Sequence, residues 1–406
     1  MERRGAVAHS SSRVHRVSAL QKLVRGIEGG DFRLMAIACT PALLLMAVVG
    51  WYAADGSNRP LVDVLSKSRT SSAELDEMTA GYYEDLLDQS KRSISANNLI
   101  TGAWATDWTH WEFKDLYSHD RRRDDFLYYE MVPNLDWMQD GGRFFTNRFG
   151  MADQDYDVEK PEATRRLALI GDSFARGVGA PTGQAFEGLL EEALNARFTD
   201  DVLRRYEILN FGVDGYRSTQ FVEVVLTKAA AFDPDVYVVA LTDLSVTRKW
   251  SDHVAQLVHD GIDLKYPFLV ELAEEARLRA DDDPRTLTAK LAPYRLDVLR
   301  WSLMTIKDHA SSRNADLLVL LVPSVIETDV MLERFAGTLG VVEELGLPVV
   351  DVLDTFQAIE DLNAYRISPR NVHPNVPGHR LLFERLLDGL RSNARAWRIV
   401  SGRPEG

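Results

Sequence analysis

Ser173 and His373 have the sequence surroundings that most suggest chemistry. Ser173 follows the run Leu167-Ala168-Leu169-Ile170-Gly171-Asp172, a short apolar segment ending in a small residue. A glycine there lets the chain turn abruptly and project the serine hydroxyl at the head of a loop or helix, where the serine's own N–H can help to stabilise an oxyanion. The plainer readings are a strand-to-helix turn with the serine as a cap, or a phosphate-binding turn built on Gly171, Gly177 and Gly179. The glycine spacing fits neither G-x-G-x-x-G nor a P-loop, and no Gly-Lys-Ser/Thr is present. His373 stands in Asn371-Val372-His373-Pro374-Asn375-Val376-Pro377-Gly378-His379, which reads as a loop leading into a last helix. His373 and His379 raise the question of a metal, but their spacing matches no ligand motif, so neither metal nor organic cofactor is expected.

Two further segments lie between these. In Asn210-Phe211-Gly212-Val213-Asp214-Gly215-Tyr216 a glycine permits close approach of backbone to a substrate oxygen. Leu241-Thr242-Asp243 ends another apolar run. The ordered set resembles the SGNH (GDSL-like) hydrolase superfamily. In that superfamily a Gly-Asp-Ser block follows the first strand, a Gly the second and Gly-x-Asn-Asp the third, and Asp-x-x-His precedes the last helix. Thr146-Asn147-Arg148-Phe149-Gly150 also looks like a lead-in segment of many bacterial members. The resemblance spans residues 165–395. It implies a three-layer, flavodoxin-like α/β fold with a parallel sheet of about five strands flanked by helices. It further implies that Ser173 attacks an ester carbonyl, that His373 takes its proton, and that the Ser173 and Gly215 N–H groups bind the oxyanion. Asp172, Asp243 and Asn375 stand beside these as supporting residues.

Two positions depart from the family pattern. Thr242 occupies the place of the oxyanion asparagine, and its hydroxyl is a donor of shorter reach; losing one good oxyanion donor typically costs about 10²–10³ in rate. Arg370 occupies the place of the acid that orients the histidine, and it cannot accept from an imidazole N–H. Asn371 can do so through its amide oxygen, without a carboxylate's charge; Asp351 and Asp354 are other candidates.

The elements that must carry these residues are legible from Arg166 onward. Short apolar runs at Arg166–Ile170, Tyr206–Phe211, Val236–Leu241, Leu317–Val322 and Leu347–Asp351 read as strands. Helical periodicity covers Ala185–Arg197, Thr219–Ala231, much of 253–312 and Met331–Leu345, and a final helix follows Pro377. Such alternation predicts a parallel sheet wrapped by helices, with ligands at the carboxyl ends of the strands. Residues 253–312 exceed one crossover and predict an insertion, whose acids Glu274, Glu275, Asp281, Asp282 and Asp283 read as a solvated face. Residues 126–160 read as irregular or short-strand structure, and 396–406 as a tail.

Upstream, Leu34–Ala54 holds no charged residue and is long enough to cross a bilayer. Residues 1–33 carry seven Lys/Arg against three Asp/Glu, which predicts an N-terminus in the cytoplasm and an exported domain. The late start and the absence of a small-x-small cleavage signal favour an anchor over a signal peptide. The formal net charge of −14 argues against nucleic-acid partners. The only cysteine, Cys39, lies in the apolar stretch, so no disulfide is expected in the exported part. Trp104, Trp108 and Trp111, in the lead-in region 55–160, share one helical face and more simply pack than bind carbohydrate. These features predict a membrane-anchored, periplasmic or extracytoplasmic serine esterase acting on acylated glycans or envelope esters. The alternatives are a polysaccharide O-acyltransferase using the same Ser/His pair, and a non-catalytic glycan-binding module.

Overall fold

A computed structural model describes residues 119–403 apart from 140–141 and 370. The apolar stretch 34–54, the three tryptophans and Arg370 fall outside the described residues. Among those described, no helix is long and apolar enough to cross a membrane.

The centre is a parallel sheet of β5 (Thr164–Ile170), β6 (Arg205–Asn210), β7 (Val236–Leu241), β8 (Asp316–Leu321) and β9 (Val349–Asp351), in the order β6-β5-β7-β8-β9. These strands read as unbroken apolar runs because a parallel sheet is covered on both faces. Successive side chains then serve two different cores. Ala168, Ile170, Val239, Leu241, Val319 and Leu321 pack on one side, whereas Leu167, Leu169, Val238, Ala240, Leu318 and Leu320 pack on the other. The first core is closed by α3 (Ser218–Thr227), α7 (Arg295–Ser312) and α8 (Thr328–Glu344). The second is closed by α2 (Phe186–Arg197), α9 (Val376–Ser392) and α10 (Ala394–Ser401). From β5 the chain passes first to β6 on one side and then to β7 on the other. This switch opens a crevice at the strands' carboxyl ends, where α1 (Ser173–Arg176) begins.

Some expectations hold in finer detail and others are revised. The segment 253–312 resolves into α4 (Asp252–His259), α5 (Pro267–Glu275), α6 (Pro284–Leu291) and α7. Of its acids, Glu274, Glu275, Asp281 and Asp283 are exposed as expected, Asp283 also capping α6 by accepting from Arg285 and Thr286 N–H, whereas Asp282 is half-buried against Lys290. The expected tail is helical to Ser401, with Ala396, Ile399 and Val400 buried in the second core. The lead-in forms two hairpins, β1 (Asp120–Arg122) with β2 (Tyr129–Met131) and β3 (Asp136–Gln139) with β4 (Gly142–Phe145). Phe126, Leu127, Tyr129, Met131, Phe144 and Tyr156 from this region belong to the first core, so no domain boundary separates them from the sheet.

Candidate active site

Asp172 has extended backbone and caps α1 by accepting from the Phe174 N–H at 3.0 Å. The serine after it therefore opens the helix with its own N–H among those lacking an intrahelical acceptor. Gly171 is needed for a different reason from the one the sequence suggested. Its φ is not positive; a Cβ there would lie 2.5 Å from the Ala175 Cβ and 3.2 Å from the Ala240 Cβ, so the residue lets the turn press against β7.

His373 reaches the same place on a short strand rather than the expected loop: β11 (Asn371–Pro374) pairs antiparallel with β10 (Arg366–Ser368). The Val325 N–H donates to the Val372 carbonyl at 2.9 Å and holds β11 to the loop after β8. The Ser173 Oγ lies 2.7 Å from His373 Nε2, and His373 Nδ1 lies 2.8 Å from Asn371 Oδ1. Asn371 Oδ1 also accepts from the His373 backbone N–H at 3.1 Å. A backbone N–H is only ever a donor, so this second contact fixes which amide atom faces the ring. Nδ1 must then carry the proton, Nε2 is bare, and Nε2 accepts from the Ser173 hydroxyl. Phe174 stacks on the imidazole with centroids 4.3 Å apart. Ser173 and His373 are both buried. Asp351 and Asp354 are used elsewhere, on the Leu353 N–H and on Arg385.

Thr242 is brought to the nucleophile turn but is turned to another task. Its hydroxyl donates to the Asp172 carboxylate. A hydroxyl has one proton, so that bond leaves none for an oxyanion while Asp172 is ionised. Burial pushes the Asp172 carboxyl up to about 6, with the Thr242 hydroxyl and the Phe174 N–H opposing. Asp243 lies deeper: its carboxylate accepts from Ser324 Oγ and from Arg334, both at 2.7 Å, tying the end of β7 to the loop after β8 and to α8. Asn375 caps α9 through the Gly378 N–H at 3.0 Å, and its amide donates to the Ala364 and Arg366 carbonyls. His379 Nε2 sits 3.0 Å from the Val178 carbonyl, and burial takes its imidazole down to about 4.

Gly215 lies at φ 74°, in the left-handed region, and a Cβ would come 2.7 Å from the Tyr129 hydroxyl. Sequence reasoning missed what surrounds it. The carboxylate of the preceding Asp214 accepts from Arg176 and lies 3.1 Å from His119 Nε2. Burial alone would raise the Asp214 pKa, but Arg176 and His119 outweigh it and hold the carboxyl below its ordinary range. Asn210 was also missed. Its amide donates to the Ala175 carbonyl and to Glu187, and its oxygen accepts from the Gly212 N–H, so it joins α1, α2 and the Gly212–Gly215 loop. Its place at the end of a strand, beside two glycines, was the available signal.

The model of the GDSL-like Lipase/Acylhydrolase family matches residues 169–381. Similar solved structures include TesA, at 15% identity over 56% of this chain and 99% of that chain, with a TM-score of 0.36. A catalytic mutant of Axe2, an acetylxylan esterase from Geobacillus stearothermophilus, is similar at 16% identity over 56% of this chain and 94% of that chain, with a TM-score of 0.37. LAE5, an alpha/beta hydrolase enzyme from the metagenome of Lake Arreo, Spain, is similar at 18% identity over 55% of this chain and 94% of that chain, with a TM-score of 0.37. No curated protein matches the chain.

Proposed function

Because the chain belongs to the GDSL-like lipase/acylhydrolase family, we propose that it hydrolyses carboxylic esters through an acyl-Ser173 intermediate. The observation that carries this reading is the continuous Ser173–His373–Asn371 hydrogen-bond chain, with Nε2 bare toward the hydroxyl. His373 Nε2 takes the hydroxyl proton as Ser173 Oγ bonds to the ester carbonyl carbon. The resulting imidazolium donates that proton to the departing alkoxide when the carbon–oxygen bond breaks. Water then enters by the same route in reverse, giving free acid and restored serine. The developing oxyanion is met by the Ser173 and Gly215 N–H groups. With the Thr242 proton on Asp172, the hole rests on backbone donors, and Asp172 and Thr242 serve to lock the turn that aims the first of them.

The substrate class in this reading is an acylated glycan or another cell-envelope ester. It is reached by a catalytic domain exported and tethered through residues 34–54, with the N-terminus in the cytoplasm. The charge asymmetry around that apolar stretch supports the placement. No metal or organic cofactor enters the chemistry, and no nucleic acid is a partner.

The test is labelling of the full-length chain with a fluorophosphonate, followed by mapping of the modified peptide. Label on Ser173 that disappears in Ser173→Ala and falls at least about 10²-fold in rate in His373→Ala is expected. Folded protein that takes no label sinks the acyl-enzyme reading. Supplying an acyl donor with a glycan acceptor then separates hydrolysis, which yields only free acid, from acyl transfer, which also yields acylated glycan.

A further inference from the structure

Tyr129 lies outside the residues matched by the family model, on β2 of the lead-in. Its hydroxyl donates to the Asp214 carbonyl at 2.5 Å in a buried setting. The Asp214 carbonyl and the Gly215 N–H belong to one planar peptide, and in a trans peptide they point in opposite directions. A donor that fixes the carbonyl from one side therefore fixes the direction of the N–H on the other. It also draws electron density toward the carbonyl oxygen, which makes the N–H a stronger donor.

The surroundings leave this peptide little freedom. The Asp214 carboxylate is held by Arg176, three residues beyond the nucleophile, and by His119. The Tyr216 hydroxyl donates back to the Tyr129 carbonyl at 2.5 Å, so strand and loop clasp each other twice. Immediately before Tyr129 the chain passes through φ 68° at Tyr128, a strained conformation for an aromatic residue and one that sets the direction in which β2 begins. The absence of a Cβ at Gly215 leaves room for the Tyr129 hydroxyl, as the 2.7 Å approach shows. Burial keeps the Tyr129 phenol well above its ordinary pKa, so it remains a donor across the working range.

We propose that Tyr129 is a positioning residue for ester hydrolysis, aiming and polarising the Asp214–Gly215 peptide as an oxyanion donor from outside the residues that the family model matches. The proposal rests on the acyl-enzyme reading above. Steady-state hydrolysis of p-nitrophenyl acetate by the full-length chain tests it, comparing wild type with Tyr129→Phe and Tyr206→Phe. Tyr206, near the amino end of β6, donates its buried hydroxyl to the Ser401 carbonyl at 3.0 Å, so each variant loses a buried tyrosine hydrogen bond and both should melt at lower temperature. Tyr129→Phe is expected to lower kcat about tenfold with KM unchanged, because the lost interaction matters in the transition state. Tyr206→Phe is expected to stay within about twofold of wild type in kcat, its hydroxyl being bonded far from the nucleophile turn.

A wild-type kcat in Tyr129→Phe, or an equal loss in both variants, overturns the proposal while leaving the acyl-enzyme reading intact. Wild type without Ser173-dependent turnover overturns both. Should Tyr129→Phe not fold, difluorotyrosine incorporated at 129 keeps the shape and donates more strongly; it is expected to raise kcat about twofold, and an unchanged kcat is again fatal.

Discussion

Asn371 meets His373 through two donors, the backbone N–H and the ring Nδ1–H, and so fixes both tautomer and orientation. What it lacks is charge. A carboxylate in the same place would stabilise the imidazolium that forms as Ser173 attacks. Asn371→Asp keeps both acceptor contacts and adds that charge, so kcat should rise several-fold. The added anion also favours the protonated ring, and the bare ring is the form that acts as base. The acid limb of kcat/KM therefore moves to higher pH in the variant. Asn371→Ala removes both contacts and should lower kcat by about 10–10²-fold. A pH–rate profile of the three proteins decides this: an unmoved acid limb in Asn371→Asp would mean that the side chain at 371 does not govern the ring.

At the scale of elements, the site is assembled where β5, β6 and β11 end or pass, and Asn210 is the joint between the first two. Its partner Glu187, in the first turn of α2, is fully within the protein, and burial raises its carboxyl to about 7, with Asn210 lowering it. The fold thus favours the protonated acid over the range between the ordinary value of 4.5 and about 7. The stabilisation this gives is complete below 4.5 and is lost as pH rises through about 7. Glu187→Gln has no such loss. Its stability relative to wild type should improve between pH 4.5 and 8 by on the order of 3 kcal/mol. Thermal melts of both proteins across that range test this, and a constant difference would show that Glu187 is ionised throughout. None of this was readable from sequence, although the elements themselves largely were. β7 was located at Val236–Leu241 because an apolar run is bounded by Pro234 on one side and by Thr242 and Asp243 on the other. β11 was missed because Asn371-Val372-His373-Pro374 holds one apolar residue between polar ones and ends in proline, too short for a period-2 signal. The Ser173–His373 pairing was legible because ordered blocks carry it. The clasp of Tyr129 and His119 on Asp214 was not, since it joins residues 85 and 95 positions apart.

Across the whole molecule, the far end of the sheet shows how the lead-in becomes part of the hydrolase fold. Arg166 on β5 is fully buried and meets the Glu207 carboxylate of β6 at 2.7 Å. Its remaining donors go to the Asp157, Val158 and Phe232 carbonyls, at 2.8–3.0 Å, so one guanidinium ties the lead-in, two strands and the segment after α3. A buried ion pair offsets a large desolvation cost only when every donor is met, as here, and removing one partner leaves the other charged and stranded. Arg166→Met should therefore destabilise the protein by about 3–5 kcal/mol, because it leaves the buried Glu207 carboxylate with only the half-exposed Arg205, 3.3 Å away, as its ionic partner. The double variant Arg166→Met with Glu207→Leu removes both charges and should recover most of the loss. Urea unfolding of the three proteins separates two causes. Recovery in the double variant assigns the cost to the buried Glu207 carboxylate, whereas a double variant as weak as the single one assigns it to the carbonyl contacts that fasten residues 157–158 to the sheet. In either case the folded fraction should label at Ser173 at the wild-type rate, because Arg166 sits near the amino end of β5 and the nucleophile follows its carboxyl end.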